Sequence, residues 1–417
     1  MQYFRIAKNT LYQATARLAS SFIGFLITIF IARYFGVLNY GDFIKITSFV
    51  APFYIFMDFG MNAIYLQLDK DEAKFNDFFN LRILISIVIF IIVNIVALLL
   101  PYNISLNTGY PPVVKMGILI FSLSFFSQSI IYSSSVIYQK RINYFGYMLA
   151  VITGSVVNFL LVLFFISYKF GLNHIILGFV LSGVVTAILS QLLTGKKIKI
   201  FKIDINFAKK IIVLSWPLGL MLIFNLVYFR IDSIILAFYK SAKDVGTYGL
   251  SYKFFDFLIA LPLFLSNALY PMLLENQKNF RKMKQIIKSY MIVFVLTSIF
   301  LIIPFWYFSS FFSLIKKEFI DSVLPFRILL LSLPFFFISN FFQWILISFK
   351  NQKYLLKIYI ISSIINIILN IIFIPIYSYF AAAIITGISE GIITLLMGLK
   401  LVGINKILEK EYQYEGN

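Results

Sequence analysis

Apolar segments of about twenty residues recur along the whole chain, and short polar segments separate them. A helix needs about 20 residues to cross the hydrocarbon core of a bilayer, so each apolar segment is a candidate membrane span. Twelve candidates begin near residues 11, 43, 83, 113, 145, 173, 211, 247, 289, 325, 355 and 380. Polar residues interrupt the candidates near 43, 113 and 247. The pattern predicts an all-α integral membrane protein with twelve transmembrane helices.

Composition excludes several function classes. Hydrophobic residues make up 61% of the chain and charged residues 13%, whereas soluble domains have about 45–50% and about 25%. There is no cysteine, His174 is the single histidine, and no GxxxxGK[ST] phosphate loop is present. Thiolate chemistry, a histidine metal site and ATP hydrolysis therefore have no support. We expect no enzyme activity, no metal, no cofactor and no nucleic-acid partner.

The 36 Lys and Arg residues outnumber the 17 Asp and Glu residues, and their placement predicts the topology. Lys and Arg are retained in short cytoplasmic loops. With a cytoplasmic N-terminus, 24 of the 36 lie on the cytoplasmic side, including those near residues 70–82, and 9 lie on the opposite side. This asymmetry predicts that both termini are cytoplasmic. No small-residue cleavage site follows the first apolar segment, so we interpret it as a retained span and not a signal peptide.

The two halves of the chain resemble each other. At an offset of 205 residues, 32–75 aligns with 237–280 without a gap, and 10 of the 44 pairs are identical. The blocks MNAIY and SNALY fall at the same end of spans 2 and 8. Six spans per half give both halves the same orientation, which is typical of parallel repeats in transporters. We predict a six-helix lobe in 1–195, a basic cytoplasmic linker in 196–210, a second six-helix lobe in 211–400, and a cytoplasmic tail in 401–417.

Charged residues inside predicted spans are the functional candidates, because charge at membrane depth is costly without a partner or water. In the first half, Gln13 and Arg17 lie on a polar stripe of span 1, where Arg17 either faces the interior or extends to the interface. Asp58 and Asn62 share a face of span 2. Asp58 either binds a proton or cation, or caps the cytoplasmic end of its helix.

The second half is richer in charge. Arg230 and Asp232 lie about 160° apart on a helix and cannot pair locally, so Asp232 shares its face with Asn225 instead. Lys253 and Asp256 are close enough for an ion pair. Three further polar candidates are Asn267, on the face of Lys253, and Glu390 and Thr386 in span 12. Glu390 either titrates during transport or forms an interhelical hydrogen bond.

Four segments carry a resemblance to a known family: IARYFGVLNYGDF, DFGMNAIYLQ, PLGLMLIFNLVYFRIDSIILAFY and DVGTYGLSYKFFDFLIALPLFLSNALYPML. The chain resembles the Wzx-type O-unit flippases, a polysaccharide transporter branch of the multidrug/oligosaccharidyl-lipid/polysaccharide (MOP) exporter superfamily. The resemblance implies a MATE-like fold of two six-helix lobes. It also implies translocation of an undecaprenyl-diphosphate-linked oligosaccharide, such as an O-antigen unit for lipopolysaccharide, to the periplasmic leaflet of the bacterial inner membrane.

The charge of that cargo suggests roles for the candidates. Arg recognises phosphate with two parallel hydrogen bonds, so we hypothesise that Arg17, Arg230 and Lys253 line a cationic cleft. Asp58, Asp232, Asp256 and Glu390 are candidates for coupling to a proton or Na⁺. Expected partners are membrane lipid, a polysaccharide polymerase and a chain-length regulator. Two alternatives are a cation-coupled multidrug exporter of the same superfamily and a membrane polymerase or glycosyltransferase, although no loop is long enough for a catalytic domain.

Overall fold

The structure is a computed structural model that describes residues 2–69, 72–199, 203–276 and 280–415. Within these ranges, side chains are described except at 2–7, 264, 267, 268, 270, 271, 280 and 405–415. The described chain is almost entirely helical, and it divides into two compact units, Met1–Leu226 and Val227–Asn417. The division falls inside one helix, and not at residue 211, because the first part of that helix packs on the first unit. The division into two six-helix lobes remains a prediction.

The first unit consists of long helices and one short interruption. Its helices are α1 Gln2–Val50, α2 Tyr54–Asp58, α3 Met61–Leu68, α4 Phe75–Leu99, α5 Pro112–Ser122, α6 Ser124–Arg141, α7 Phe145–Ser167, α8 Leu172–Leu192 and the first part of α9 Ile205–Tyr239. A 3-10 turn, Ala51–Phe53, joins α1 to α2. Helix α1 packs on α5 and α7, and α6 packs on α4 and α8.

The second unit begins with the rest of α9. It continues with α10 Ala242–Ile259, α11 Leu261–Glu275, α12 Phe280–Tyr307, α13 Phe312–Ile315, α14 Val323–Ser348 and α15 Gln352–Glu415, with 3-10 turns at Phe308–Phe311 and Lys317–Ser322. Helix α14 contacts α10, α11, α12 and α15, and is therefore the central helix of this unit.

Nine helical segments in the described ranges are long and apolar enough to cross a bilayer. They are Lys8–Leu68, Phe75–Leu99, Pro112–Arg141, Phe145–Ser167, Leu172–Leu192, Ile205–Tyr239, Arg281–Ile315, Lys317–Ser348 and Gln352–Ile404. The first has 61 residues and the last has 53, and either length suffices for two crossings. The backbone leaves the helical conformation inside α1 at Gly36 and inside α15 at Ser378. The predicted all-α membrane fold is confirmed, whereas the number of twelve spans remains a prediction.

A small hairpin adds the only strands in the described ranges. Strands β1 Tyr102–Asn103 and β2 Thr108–Gly109 pair antiparallel, with Tyr102 opposite Gly109. Lys45 of α1 is 1% exposed and donates a hydrogen bond of 2.7 Å from its Nζ to the Gly109 carbonyl. Lys45 is one of the nine Lys and Arg residues predicted on the outer side, and its side chain is buried against this hairpin.

Candidate functional site

In the first unit, a break in span 2 positions the candidate acid Asp58. Helix α2 ends at Asp58, and both Phe59 (φ 44°) and Gly60 (φ 71°) adopt the left-handed conformation before α3 starts. The prediction that Asp58 and Asn62 share one continuous helical face is therefore wrong, because the two left-handed residues lie between them. Asp58 ends α2 and does not cap an unbroken helix.

Asp58 pairs with a buried arginine. The Nη2 atom of Arg82, in α4, lies 3.6 Å from Asp58 Oδ1 and donates a 2.7 Å hydrogen bond to Asn62 Oδ1. The guanidinium lies 4.4 Å from the ring centroid of Phe78, a cation–π geometry. The Arg82 side chain is 0% exposed and that of Asp58 is 33% exposed. Arg82 thus links the two candidates Asp58 and Asn62, although α2 and α3 do not form one helix.

The sequence analysis missed Arg82, which it counted among the cytoplasmic loop charges near residues 70–82. The structure places it in the second turn of α4, which begins at Phe75. The aromatic pair Phe78 and Phe79 precedes it and is buried. These two apolar residues are the sequence signal from which an earlier start of the helix, with Arg82 inside the span, could have been predicted.

Two glycines allow the span 2 break to approach α9 closely. A Cβ on Gly60 would lie 2.6 Å from Leu218 Cβ, and a Cβ on Gly219 would lie 2.3 Å from the Phe59 ring. Pro217 lies inside α9 directly before this contact. The break that orients Asp58 is thus held by tight backbone packing.

The remaining candidates of the first unit lie on the surface of α1. Gln13 and Arg17 are both exposed. Among the residues with described side chains, no acidic group lies within ion-pair distance of Arg17. Its charge interacts with the Tyr147 hydroxyl of α7. The positive charge of Arg17 is accordingly not neutralised by an acid in the described part of this unit.

In the second unit, Arg230 of α9 pairs with Asp256 of α10. Its Nη2 lies 2.9 Å from Asp256 Oδ2, and its guanidinium lies 5.3 Å from the Tyr252 ring centroid. The predicted pair between Lys253 and Asp256 does not form, because Asp256 points to Arg230, and Lys253 is exposed. As the helical angle required, Arg230 and Asp232 do not pair with each other.

Asp232 is buried among hydroxyl groups. It is 3% exposed, and the Tyr248 hydroxyl donates a short hydrogen bond to Oδ2. The Thr386 hydroxyl lies 3.4 Å from the same oxygen, and the backbone N–H of Ser233 donates to Oδ1 at 2.6 Å. These donors come from α9, α10 and α15. Asp232 therefore joins three helices of the unit.

Glu390 of α15 has a similar environment. It is 4% exposed, the Tyr228 hydroxyl donates to Oε2 at 2.6 Å, and the Ser339 hydroxyl donates to Oε1. The donors belong to α9 and α14. The interhelical hydrogen bond considered for Glu390 is present, and no Lys or Arg with a described side chain forms an ion pair with it.

The four acidic candidates therefore form two chemical classes. Asp58 and Asp256 each face an arginine, which stabilises their negative charge. Asp232 and Glu390 accept hydrogen bonds from hydroxyl groups, and their carboxyls are buried. Burying an uncompensated charge is costly, so a bound cation or proton would stabilise a carboxyl of this second class. Asp232 and Glu390 are thus the better suited of the four to bind and release a cation.

Buried amide groups also form hydrogen bonds between residues within α15. Asn366 donates a 2.9 Å hydrogen bond to the Ser389 hydroxyl, and Asn370 donates one of 2.9 Å to Asn366 Oδ1. Asn225 is exposed on α9, and the side chain of Asn267 lies outside the described residues. Among described residues there is no group of three or more His, Cys, Asp or Glu able to hold a metal ion.

An ionic network connects loops of the first unit on the predicted cytoplasmic side. Glu72 lies 2.8 Å from Arg141 Nη2 and 2.7 Å from Lys196 Nζ. Burial by itself would raise the pKa of Glu72, but the hydrogen bonds and charges of Arg141 and Lys196 lower it below its usual 4.5. Lys74 pairs with Asp204 at 2.8 Å. The predicted linker is therefore attached to the α3–α4 connection through Lys196 at its start and through Asp204 directly before α9.

Comparison with known families gives two matches. A profile of the family described as "Polysaccharide biosynthesis protein" matches residues 6–277, and one described as "MatE" matches residues 217–372. No curated protein matches the chain in sequence.

Several solved structures share the fold over nearly the whole chain. One titled "Lipid II flippase MurJ, inward closed conformation" has a TM-score of 0.78 and 20% identity, covering 94% of this chain and 87% of its own. An inward-facing multidrug resistance MATE family transporter of the MOP superfamily has a TM-score of 0.69 and 14% identity, covering 96% of each chain. A MOP superfamily transporter from Pyrococcus furiosus has a TM-score of 0.54 and 13% identity, covering 97% and 95%. The fold is that of the MOP superfamily.

Proposed function

Because the chain belongs to the polysaccharide biosynthesis protein family, we propose that it is a flippase for a lipid-linked oligosaccharide. The cargo is an undecaprenyl-diphosphate-linked repeat unit of a surface polysaccharide such as O-antigen. It moves from the cytoplasmic to the periplasmic leaflet of the bacterial inner membrane, by alternating access of two six-helix lobes. A polysaccharide polymerase and a chain-length regulator act on the product.

The observation that best supports ion-coupled transport is the pair of buried carboxyls in the second unit. Asp232 and Glu390 are 3% and 4% exposed and are bonded by hydroxyls. Their helices, α9 and α15, are joined by these bonds, so loading one carboxyl with H⁺ or Na⁺ changes what holds the two helices together. We assign the coupling role to Asp232 and Glu390. Asp58 and Asp256 instead have structural or positioning roles beside Arg82 and Arg230.

The cationic candidates differ in exposure and in whether an acidic side chain already pairs with them, and both properties affect how strongly each can attract a diphosphate. Arg17 and Lys253 are exposed, and neither forms a direct ion pair with an acidic side chain in the described ranges. Arg230 shares its charge with Asp256 but keeps 39% of its side chain exposed. In this proposal Arg17 and Lys253 attract the diphosphate, while Arg230 binds it through the exposed edge of its guanidinium. Gln13, Asn62, Asn225 and Asn267 add polar lining.

Complementation tests this function. The gene is expressed in a bacterium that lacks its own O-unit flippase, and surface glycan is quantified with the amount of membrane-inserted protein. We expect the unchanged protein to restore display, Glu390→Gln to reduce it at least ten-fold, and Glu390→Asp to retain part of it. Glu275→Gln, an exposed glutamate at the end of α11, is the matched control. Normal display with Glu390→Gln would contradict the coupling role but leave the flippase function intact.

The cargo role of the cations is tested in the same strain. Arg17→Ala and Arg230→Ala should abolish display without loss of protein from the membrane, and Arg17→Lys and Arg230→Lys should retain part of it. Arg281→Ala, an exposed arginine in α12, is the control for loss of a positive charge. Full display by both alanine variants would contradict the cationic cleft.

A second candidate is a cation-coupled multidrug exporter, favoured by the MatE match over residues 217–372. An exporter of this kind should raise resistance to cationic drugs when it is overproduced in a strain without its own pumps. The exporter would be favoured if the unchanged protein raises drug resistance, Glu390→Gln does not, and the unchanged protein fails to restore glycan display.

A further inference from the structure

A cavity of about 410 Å³ lies in the first unit, and none of the candidates described above lines it. Its lining comes from the start of α1 and from the α6–α7 turn, and consists of Lys8, Asn9, Tyr12, Ile142, Asn143 and Phe145. Its volume is within the range of about 300–1,000 Å³ that ligand pockets usually have.

The cavity is built by specific contacts. Asn9 is 6% exposed, and its Oδ1 accepts a 2.7 Å hydrogen bond from the Tyr144 backbone N–H, which ties α1 to the α6–α7 turn. At that turn Ile142 adopts a left-handed conformation that ends α6. The rings of Tyr12 and Phe145 lie 5.4 Å apart. The turn is therefore held in a shape that keeps the cavity open.

The lining favours an anion. Lys8 supplies a positive charge and Asn143 a neutral amide, while none of the lining residues is acidic. The Lys8 ammonium lies 5.8 Å from the centroid of the Tyr12 ring, and Lys8 is exposed. No acidic side chain in the described ranges forms an ion pair with it. A phosphate group matches one ammonium and one amide donor.

The depth of the cavity identifies the source of that phosphate. One candidate membrane span, Phe145–Ser167, begins at a residue that lines the cavity, and the α6–α7 turn lies at that end of the span. Further along the two helices that line the cavity, Leu18 and Phe22 of α1 and Leu149 of α7 expose apolar side chains. A group in the cavity therefore lies at the boundary between headgroups and acyl chains, and an attached chain would run along these apolar side chains.

We propose that this cavity binds the phosphate headgroup of an anionic membrane lipid. A second cavity of about 450 Å³, in the same unit, shows the contrast. It is lined mainly by apolar side chains, and the ammonium of its Lys115 already donates a 2.9 Å hydrogen bond to the Leu98 carbonyl. The Lys8 cavity has the chemistry for a phosphate, and the Lys115 cavity does not.

The test uses the full chain in phosphatidylcholine vesicles that contain spin-labelled phosphatidylglycerol. The fraction of label immobilised by the protein is measured by electron paramagnetic resonance. Lys8 is the one cation among the described residues that line the cavity and bonds the phosphate directly, so Lys8→Gln should weaken association about ten-fold. Lys8→Arg should preserve it, and labelled phosphatidylcholine should show no difference between variants.

Two controls make the result decisive. Lys197→Gln removes an exposed linker lysine outside the cavity and should leave association unchanged. An equal loss with Lys197→Gln, or no loss with Lys8→Gln, would overturn the proposal in favour of diffuse surface charge. Inorganic phosphate at millimolar concentration should not displace the labelled lipid. Displacement by phosphate would identify a free-phosphate site and overturn the assignment to lipid.

Discussion

Asp58 and Arg82 form an ion pair at 3.6 Å in the first unit, although Asp58 belongs to predicted span 2 and Arg82 to the predicted cytoplasmic loop that follows it. Arg82 is completely buried, and its Nε and Nη1 atoms have no hydrogen-bond partner among the described residues. Asp58 is the acidic partner that compensates this buried charge. The pair therefore couples the end of α2 to α4.

Breaking this pair should destabilise the first unit. Asp58→Asn leaves the Arg82 charge buried without an acid, and we expect a cost of about 1–3 kcal/mol, reduced from that of a fully buried pair because Asp58 is partly exposed. The unfolding temperature of the detergent-solubilised protein is the measurement. Asp58→Asn combined with Arg82→Gln should cost less than the sum of the two single changes. Additive costs would show that the two side chains do not interact.

The glycines at the span 2 break should tolerate no side chain. Gly60→Ala adds a methyl group at φ 71° and 2.6 Å from Leu218 Cβ, and Gly219→Ala places one 2.3 Å from the Phe59 ring. Overpacking of this kind costs about 1–3 kcal/mol, and the left-handed backbone adds strain at Gly60. Thermal unfolding should show both losses. A Cβ on Gly24 would have no neighbour within 4 Å, so Gly24→Ala should be neutral or slightly stabilising.

Relief of that contact provides a second test. Phe59→Ala removes the ring that a Cβ on Gly219 would strike without placing a β-branched side chain at a left-handed position, and should restore part of the stability lost in Gly219→Ala. It should not rescue Gly60→Ala, whose nearest contact is Leu218. Equal rescue of Gly219→Ala and Gly60→Ala would mean that the contact with the Phe59 ring is not the cause of the lost stability.

The Glu72 network should make stability depend on pH. Its partners Arg141 and Lys196 lower the pKa of Glu72 below its usual 4.5. A group whose pKa is lower in the folded state stabilises the fold fully above the unfolded value and loses that contribution as the pH falls through the folded value. As the pH is lowered from 7 to 3, the unfolding temperature of the unchanged protein should therefore fall more steeply than that of Glu72→Gln. Parallel curves would exclude a contribution from Glu72, and Glu275→Gln is the control.

Substitutions of Asp256 and of its neighbour Lys253 should have different effects, because only Asp256 pairs with Arg230. Asp256→Asn removes the partner of Arg230 and should lower the unfolding temperature, whereas Lys253→Gln leaves the pair intact and should not. In the complementation assay we expect Lys253→Gln to reduce glycan display with a normal protein level. Equal destabilisation by the two changes would mean that Lys253 also pairs with Asp256.

The sequence by itself determined the class of this protein and much of its framework. A chain with 61% hydrophobic residues, in segments of membrane length, can satisfy its backbone groups in a bilayer only as helices. The same pattern located the charges that matter, because Asp232, Arg230, Asp256 and Glu390 are few and costly inside apolar helices. These four residues could therefore be selected as candidates without coordinates.

Only the tertiary structure decided which of these charges meet. Helical spacing puts Lys253 within reach of Asp256, but the contact between α9 and α10 selects Arg230, which lies 26 residues earlier in the sequence. Hydropathy did not identify Arg82 as a site residue, because hydropathy is averaged over a window of residues. The role of Arg82 depends instead on its contact with Asp58 on the other side of a loop. Partner choice is a property of distances between helices, and periodicity along one helix contains no information about those distances.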